Sequence, residues 1–395
     1  MIKLLTLGAT VAMLALPAAA KSLTAATAFT GQDQCTQENK DAYYAAFREN
    51  RTTDQAKAYD NAKKYLACPA GAEVTETTQK IIDYLKKWVS QYEDLTEKQQ
   101  LRIKLYNQPP DYPNAYAIGA KILAREPENL KVLVDLGANG YLLASLKNPG
   151  LNTDSVNYAK KALALLDAGK TIDDWQPLAG KDAAVAYLNY TIGVFTLEPD
   201  PSSALKNLIK AAQFETPLKK SPFTYAYIAG AYETGPYAKL SESYKQYSGK
   251  DETPESKLAL ANVNQIVDRM IDGYARAVAL ATDPKFAEQK KLWSDSLNQW
   301  YKYRHNGTDS GMNEMIAGIL AQPLPPEPTP LTSLPTPSPA STPAGSTSGA
   351  ASTSGTTASA TAPQSTAPTG TASKTTMTTA AKPTVAPKPK NNHRP

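Results

Sequence analysis

Residues 221–232 read Ser-Pro-Phe-Thr-Tyr-Ala-Tyr-Ile-Ala-Gly-Ala-Tyr, and this stretch limits the possible folds more than any other. Ser221 is a good helix N-cap and Pro222 a good first helical residue, because the donor that proline lacks would be unpaired there anyway. Tyr225, Ile228, Ala229 and Tyr232 then recur at helical spacing, three large residues around one small one. At Ala229 a second helix can approach closely, while the flanking side chains supply the packed surface. Ile192-Gly193 lies 36 residues upstream of Ile228-Ala229, and Leu136-Gly137 lies earlier still. A close-approach helix that recurs in this way predicts an all-α chain in which each helix packs on its neighbours.

The remaining periodicity agrees with that expectation. Tyr43, Tyr44 and Phe47 on one predicted helix, and Ala56, Tyr59, Ala62 and Tyr65 on the next, give two apolar faces joined by a polar turn at 50–53. Thr52 with Gln55 reads as a capping box at the second helix start. Ile81, Ile82, Leu85, Trp88, Val89 and Tyr92 continue the pattern, as do Leu101, Ile103, Leu105 and Tyr106, until Pro109, Pro110 and Pro113 stop it. Asp200-Pro201, Thr253-Pro254 and Asp283-Pro284 each open a further helix, the second of them long. No β alternation competes.

The order aromatic, then large-small three residues on, then Tyr resembles the first helix of a tetratricopeptide (TPR) repeat, whose unit is about 34 residues. Ala115, Gly119 and Ile122 followed by Pro127 sit at the spacings of that family's second helix and terminating proline, and Ala204, Leu208 and Ala211 repeat them. The chain is thus similar to exported bacterial TPR-like proteins, with departures at the loop 148–154 and the insertion 234–253. The resemblance implies an α-solenoid of antiparallel helical hairpins over residues 21–320, with a concave surface that binds a protein or peptide. In the family, groove residues come from the first helices. Carried onto this sequence, the ligand-groove candidates are Phe223 and Tyr227 in one helix and Lys131 and Asp135 in another. The Lys/Asn clamp that some relatives use for a C-terminal carboxylate is not recognisable.

The two ends are compositionally unlike the middle. Lys3, the apolar run from Leu4 to Leu16 and Pro17-Ala18-Ala19-Ala20 read as a secretory signal peptide, residues 1–20, cleaved after Ala20. The apolar run falls short of the roughly 20 residues that a spanning helix needs, so the mature chain is expected not to be an integral membrane protein and to be periplasmic or secreted. Residues 321–395 are mostly Pro, Ser, Thr and Ala and read as a disordered tail. Removing Lys3 and the five basic residues of the tail from the 42, and Glu327 from the 37 acidic ones, leaves 36 of each sign. The net charge of +5 therefore belongs to the ends, and a neutral middle argues against nucleic acid as a partner. Export also makes the two cysteines readable: Cys35 precedes the first predicted helix and Cys68 ends the second, so an antiparallel hairpin is expected to bring them together as a disulfide, the alternative being two unpaired buried thiols.

Candidates for chemistry are few. His305 and His393 are the only histidines, which leaves no His/Cys metal cluster, no Cys-His pair and no implied cofactor. Asp173 and Asp174 read as helix-start charges or, alternatively, as an acid and base. Tyr301, Tyr303, Arg304 and His305 before Asn306-Gly307 form either a ligand-contacting loop or the end of a helix. The expected function is a non-catalytic interaction scaffold of the cell envelope. A cell-wall or glycan-binding module is the alternative, followed by a carboxylate-dependent hydrolase.

Overall fold

The computed structural model describes residues 35–69, 74–146 and 148–334. The signal-peptide reading and the tail from 335 onward lie outside the described residues, within which every regular element is helical. The chain divides into an N-terminal unit up to Thr96 and a C-terminal unit from Glu97, with the division falling inside one long helix.

In the N-terminal unit, α1 (Gln37–Asn50) and α2 (Gln55–Ala67) pack as a hairpin, joined by the first part of α3 (Glu76–Tyr106). Local chemistry sets their ends. The Thr36 side chain accepts from Asn39 N at 3.2 Å and Asp54 from Lys57 N at 3.0 Å. Asp54, not Thr52, is therefore the N-cap of α2, since a carboxylate is the stronger acceptor for the free amides at a helix start. Phe47, Ala58, Ala62 and Tyr65 close over Leu85 and Val89, with Trp88 edge-on to Phe47 at 5.0 Å. Cys35 and Cys68 stand at disulfide distance, their Cα atoms 5.3 Å apart.

The C-terminal unit continues with α4 (Tyr112–Arg125), α5 (Leu130–Asn139), α6 (Pro149–Asp167), α7 (Lys181–Thr196), α8 (Pro201–Ala212) and α9 (Pro222–Tyr232). After these come α10 (Ala238–Tyr244), α11 (Pro254–Leu280), α12 (Ala287–Arg304) and α13 (Met312–Gly318). Successive helices from α4 to α9 pack on one another in chain order, and α5 also touches α7. Asp111, Asn129, Asn148 and Asp200 cap α4, α5, α6 and α8 through their side chains. A full capping box of Thr253 and Ser256 opens the 27-residue α11. Ser221 occupies the N-cap position of α9 but its hydroxyl makes no cap bond; its carbonyl instead accepts from Thr224 N at 3.2 Å.

Small residues set the close approaches. A Cβ at Gly273 of α11 would lie 3.0 Å from both the Ala229 Cβ and the Tyr225 carbonyl, so α11 supplies the partner for the small position of α9. The 234–253 insertion explains why that partner arrives late in the chain: α9 runs into a π-helical turn, Glu233–Tyr237, and then α10. Tyr225, Ile228, Ala229 and Tyr232 are all buried in the same core.

The boundary of the tail moves. Residues 322–334, which composition assigns to the disordered segment, run along α11 in extended form and bond to it. Proline carbonyls here find donors on folded helices, which composition does not register.

Candidate functional site

The four groove candidates fall into two different clusters. Lys131 and Asp135 lie one turn apart on α5, with Lys131 Nζ 2.8 Å from Asp135 Oδ1. Asp135 also accepts from the Tyr106 hydroxyl at 3.0 Å, and Lys131 donates to the Gln176 carbonyl at 2.6 Å. Asn139 completes the set by donating to Tyr106 Oη at 3.0 Å and to the Asp135 carbonyl at 2.7 Å. The Asp135 side chain is only 2% exposed, so it is a buried member of a saturated network and not a groove residue open to a ligand. Its helical position was legible; its burial is the work of Tyr106 and the 174–176 turn.

Burial pushes the Asp135 carboxyl up, against the opposing pull of Lys131, Tyr106 and Arg102. A carboxyl whose pKa is raised on folding binds its proton more tightly in the native state than in the unfolded one. Its contribution to stability is therefore full below the ordinary aspartate value of about 3.9 and is lost as pH rises through the elevated one. Asp135→Asn keeps the shape and cannot ionise. Urea titrations should show wild type progressively losing stability relative to this variant as pH rises above about 4. A difference independent of pH would contradict the assignment.

Phe223 and Tyr227 belong to a continuous chain of ring contacts. Tyr187 and Tyr141 stack with centroids 5.8 Å apart, and Tyr141 meets Tyr190 edge-on at 5.3 Å. Tyr190 lies 6.2 Å from Tyr227, and Tyr227 lies 6.1 Å from Phe223. Phe223 is edge-on to both Phe286, at 5.8 Å, and Trp293, at 5.4 Å. Seven rings from α7, α9, α12 and the turns after α5 and before α12 are thereby linked. Tyr190 is buried, while the other six residues are half-buried. Burial raises the phenol pKa values of Tyr141, Tyr187, Tyr190 and Tyr227, which holds the row neutral. Lys285, 4.8 Å over the Phe286 ring, brings a cation to it.

Five of the seven rings were not among the sequence candidates. One of them was within reach of the periodicity: Tyr187 stands five residues before Ile192, as Phe223 stands five before Ile228. Tyr141, Phe286 and Trp293 lie outside that register and reach the row only through tertiary packing.

The other polar features resolve differently. Asp174 pairs with Arg102 at 3.3 Å, and the Gln176 backbone amide holds its carboxyl below the usual range; Asp173 is exposed. The Tyr301–His305 segment is a helix end. The His305 ring stacks on Tyr301 at 3.8 Å, Asn306 and Gly307 turn left-handed, and Gly307 N donates back to the Lys302 carbonyl at 2.8 Å. Arg304 is engaged with Asp268 at 2.7 Å. Among the described residues no three His, Cys, Asp or Glu side chains gather, and no helix is long and apolar enough to cross a membrane. In the N-terminal unit, Lys63, Leu66, Ala67, Lys86, Val89, Ser90 and Glu93 line an open depression of about 340 Å³, where Glu93 accepts from Tyr59 Oη at 2.6 Å and pairs with Lys63 at 3.3 Å. Comparison with protein families, with characterised proteins and with solved structures gave no match to this chain.

Proposed function

We propose that this protein is an exported, non-catalytic interaction scaffold of TPR-like helical hairpins, and that the aromatic row of the C-terminal unit is the surface on which it holds a protein or peptide. The observation that carries the reading is the uninterrupted contact of seven rings, six of them on half-buried residues, along elements that the helical core fixes in place. Aromatic side chains give large contact areas at low cost in conformational entropy, and their faces accept aliphatic, proline and cationic groups alike. The disulfide-distance pair Cys35 and Cys68 accords with an oxidising compartment, hence a periplasmic or secreted location.

The same rings favour a second reading, a glycan-binding face, because a sugar ring also lies flat on an aromatic one. One experiment separates the two. A photo-crosslinking residue in place of Phe223, in cells that make the protein, is expected to capture polypeptide; recovery of wall saccharide alone would select the glycan reading. Binding of the captured partner is expected to weaken at least tenfold in a Phe223→Ala, Trp293→Ala double variant, on the scale of about 2 kcal/mol for a central aromatic contact. An unchanged affinity would remove the row from the interface.

A further inference from the structure

Residues 322–334 read Gln-Pro-Leu-Pro-Pro-Glu-Pro-Thr-Pro-Leu-Thr-Ser-Leu, with five prolines among thirteen residues. They hold no regular hydrogen-bonded structure of their own. Leu324, Pro325, Pro328 and Leu331 are half-buried while Pro326, Glu327, Thr329, Pro330 and Leu334 are exposed, so from Pro325 to Leu331 the buried positions recur every three residues, the spacing of a polyproline II helix lying on one edge. Leu324 packs against the helical core.

The way α11 holds this segment is specific in chemistry and indifferent to side chains. Asn262, Arg269 and Arg276 stand seven residues apart, which places them on one face of the helix at intervals of about 10.5 Å. Asn262 pairs reciprocally with the backbone of Leu331: its Nδ2 donates to the carbonyl at 3.1 Å and its Oδ1 accepts from the amide at 2.7 Å. Arg269 Nε donates to the Pro326 carbonyl at 2.9 Å. Arg276 Nη2 donates to the carbonyls of Gln322 at 3.0 Å and Pro323 at 2.8 Å, and Asp272 anchors the guanidinium at 2.7 Å. A proline-rich chain offers carbonyl acceptors and few N–H donors, and this face gives it four hydrogen bonds from three donor nitrogens and accepts one. The acceptor meets Leu331, a residue that has an amide to give. With the segment in place Arg276 is 4% exposed, while Asn262 and Arg269 are half-buried.

We propose that this face of α11 is a receptor for the extended proline-rich segment of a partner protein, and that residues 322–334 fill it in cis as a displaceable plug. The cis segment shows the chemistry the face accepts. Its hold is shallow: backbone hydrogen bonds plus a few half-buried side chains, all of which another proline-rich chain can supply. A tethered occupant at an effective concentration of about millimolar suppresses binding in trans until the plug is loosened. This inference is independent of the aromatic row.

The test uses the full chain and a fluorescent peptide with the sequence of residues 322–334. In the variant Leu324→Asp, Leu331→Pro the plug loses its apolar anchor and its amide while α11 is untouched, so the peptide is expected to bind at least tenfold more tightly than to wild type, with unchanged helicity. Adding Asn262→Ala and Arg269→Ala should abolish the gain. If the opened variant does not fold, hydrogen exchange in the wild-type chain serves instead: millimolar peptide should accelerate exchange of the Leu331 amide. Equal affinity for opened and wild-type chains, or an unmoved Leu331 amide, overturns the proposal. So does concentration-dependent dimerisation of the wild-type chain with its plug exchanged, which would make a second copy the occupant. Sensitivity of peptide binding to Phe223→Ala, Trp293→Ala would place the peptide on the aromatic row, defeating this inference while leaving the proposed function standing.

Discussion

Gly137→Ala should lower the melting temperature of the C-terminal unit by about 4–8 °C, more than a single methyl group usually does. A Cβ at Gly137 would sit 2.8 Å from the Ala159 Cα, 2.9 Å from the Ala159 backbone nitrogen and 2.7 Å from Leu188 Cδ2. Two of those three atoms are backbone, so relief requires α6 to move off α5, and α5 also packs on α7. Overpacking of this kind costs about 3 kcal/mol, and the better helix propensity of alanine offsets about 1, leaving a net loss near 2 kcal/mol. Gly119→Ala is the instructive contrast. The three atoms nearest its Cβ all belong to the Leu136 side chain, with Cδ1 at 2.5 Å, and a side-chain end yields more cheaply than backbone, so the net change should stay under about 1 kcal/mol. Gly150→Ala, with its nearest atom at 3.5 Å, should be close to neutral. Thermal unfolding of the three variants by circular dichroism checks the ranking, and equal shifts at Gly137 and Gly119 would refute the account of the α5–α6 approach.

Replacing Cys35 and Cys68 by serine should cost the N-terminal unit roughly 3–4 kcal/mol, because a crosslink closing a loop of this length removes that much chain entropy from the unfolded ensemble. The sequence separation is 33 residues, and the hairpin it closes has a small core, Phe47, Ala58, Ala62 and Tyr65 over Leu85 and Val89. Loss on this scale is comparable to what such a core can supply, so α1 and α2 should exchange their amide hydrogens on the order of a hundredfold faster. The C-terminal unit, whose buried clusters lie from Leu101 onward, should keep its exchange rates. Mass spectrometry of the oxidised mature chain showing two free thiols would remove the basis for this expectation, and an exchange pattern unchanged in Gln55–Ala67 would show that the hairpin stands without the bridge.

The fate of the candidate residues shows where sequence reasoning holds and where it ends. Phe223 and Lys131 occupy equivalent positions in the repeat pattern, five residues before Ile228 and Leu136. One entered a ring cluster and the other a hydrogen-bonded network, because their surroundings come from Trp293 and Phe286 in the first case and from Asp135 and Gln176 in the second. Each of those partners but Asp135 is remote in the chain and follows from packing alone. Ser221 makes a similar point on a smaller scale: the residue type and position suit a cap, yet Thr224 is drawn to the Leu218 carbonyl at 2.8 Å and the cap is left to backbone.

What the sequence determined alone is whatever is encoded within a turn or two of helix: the period of the apolar faces, the Asp, Asn and Thr caps, the prolines that open α8, α9 and α11, and the small residues that demand a close neighbour. These are local free-energy preferences, legible without knowing what lies alongside. Tertiary structure decided which helix fills each close approach, as Gly273 does for Ala229, and which rings join into one row. It also decided that a proline-rich segment with nothing to bury on its own would lie bonded along α11, since its carbonyls find Asn262, Arg269 and Arg276 only after that helix is folded and its seven-residue spacing is set.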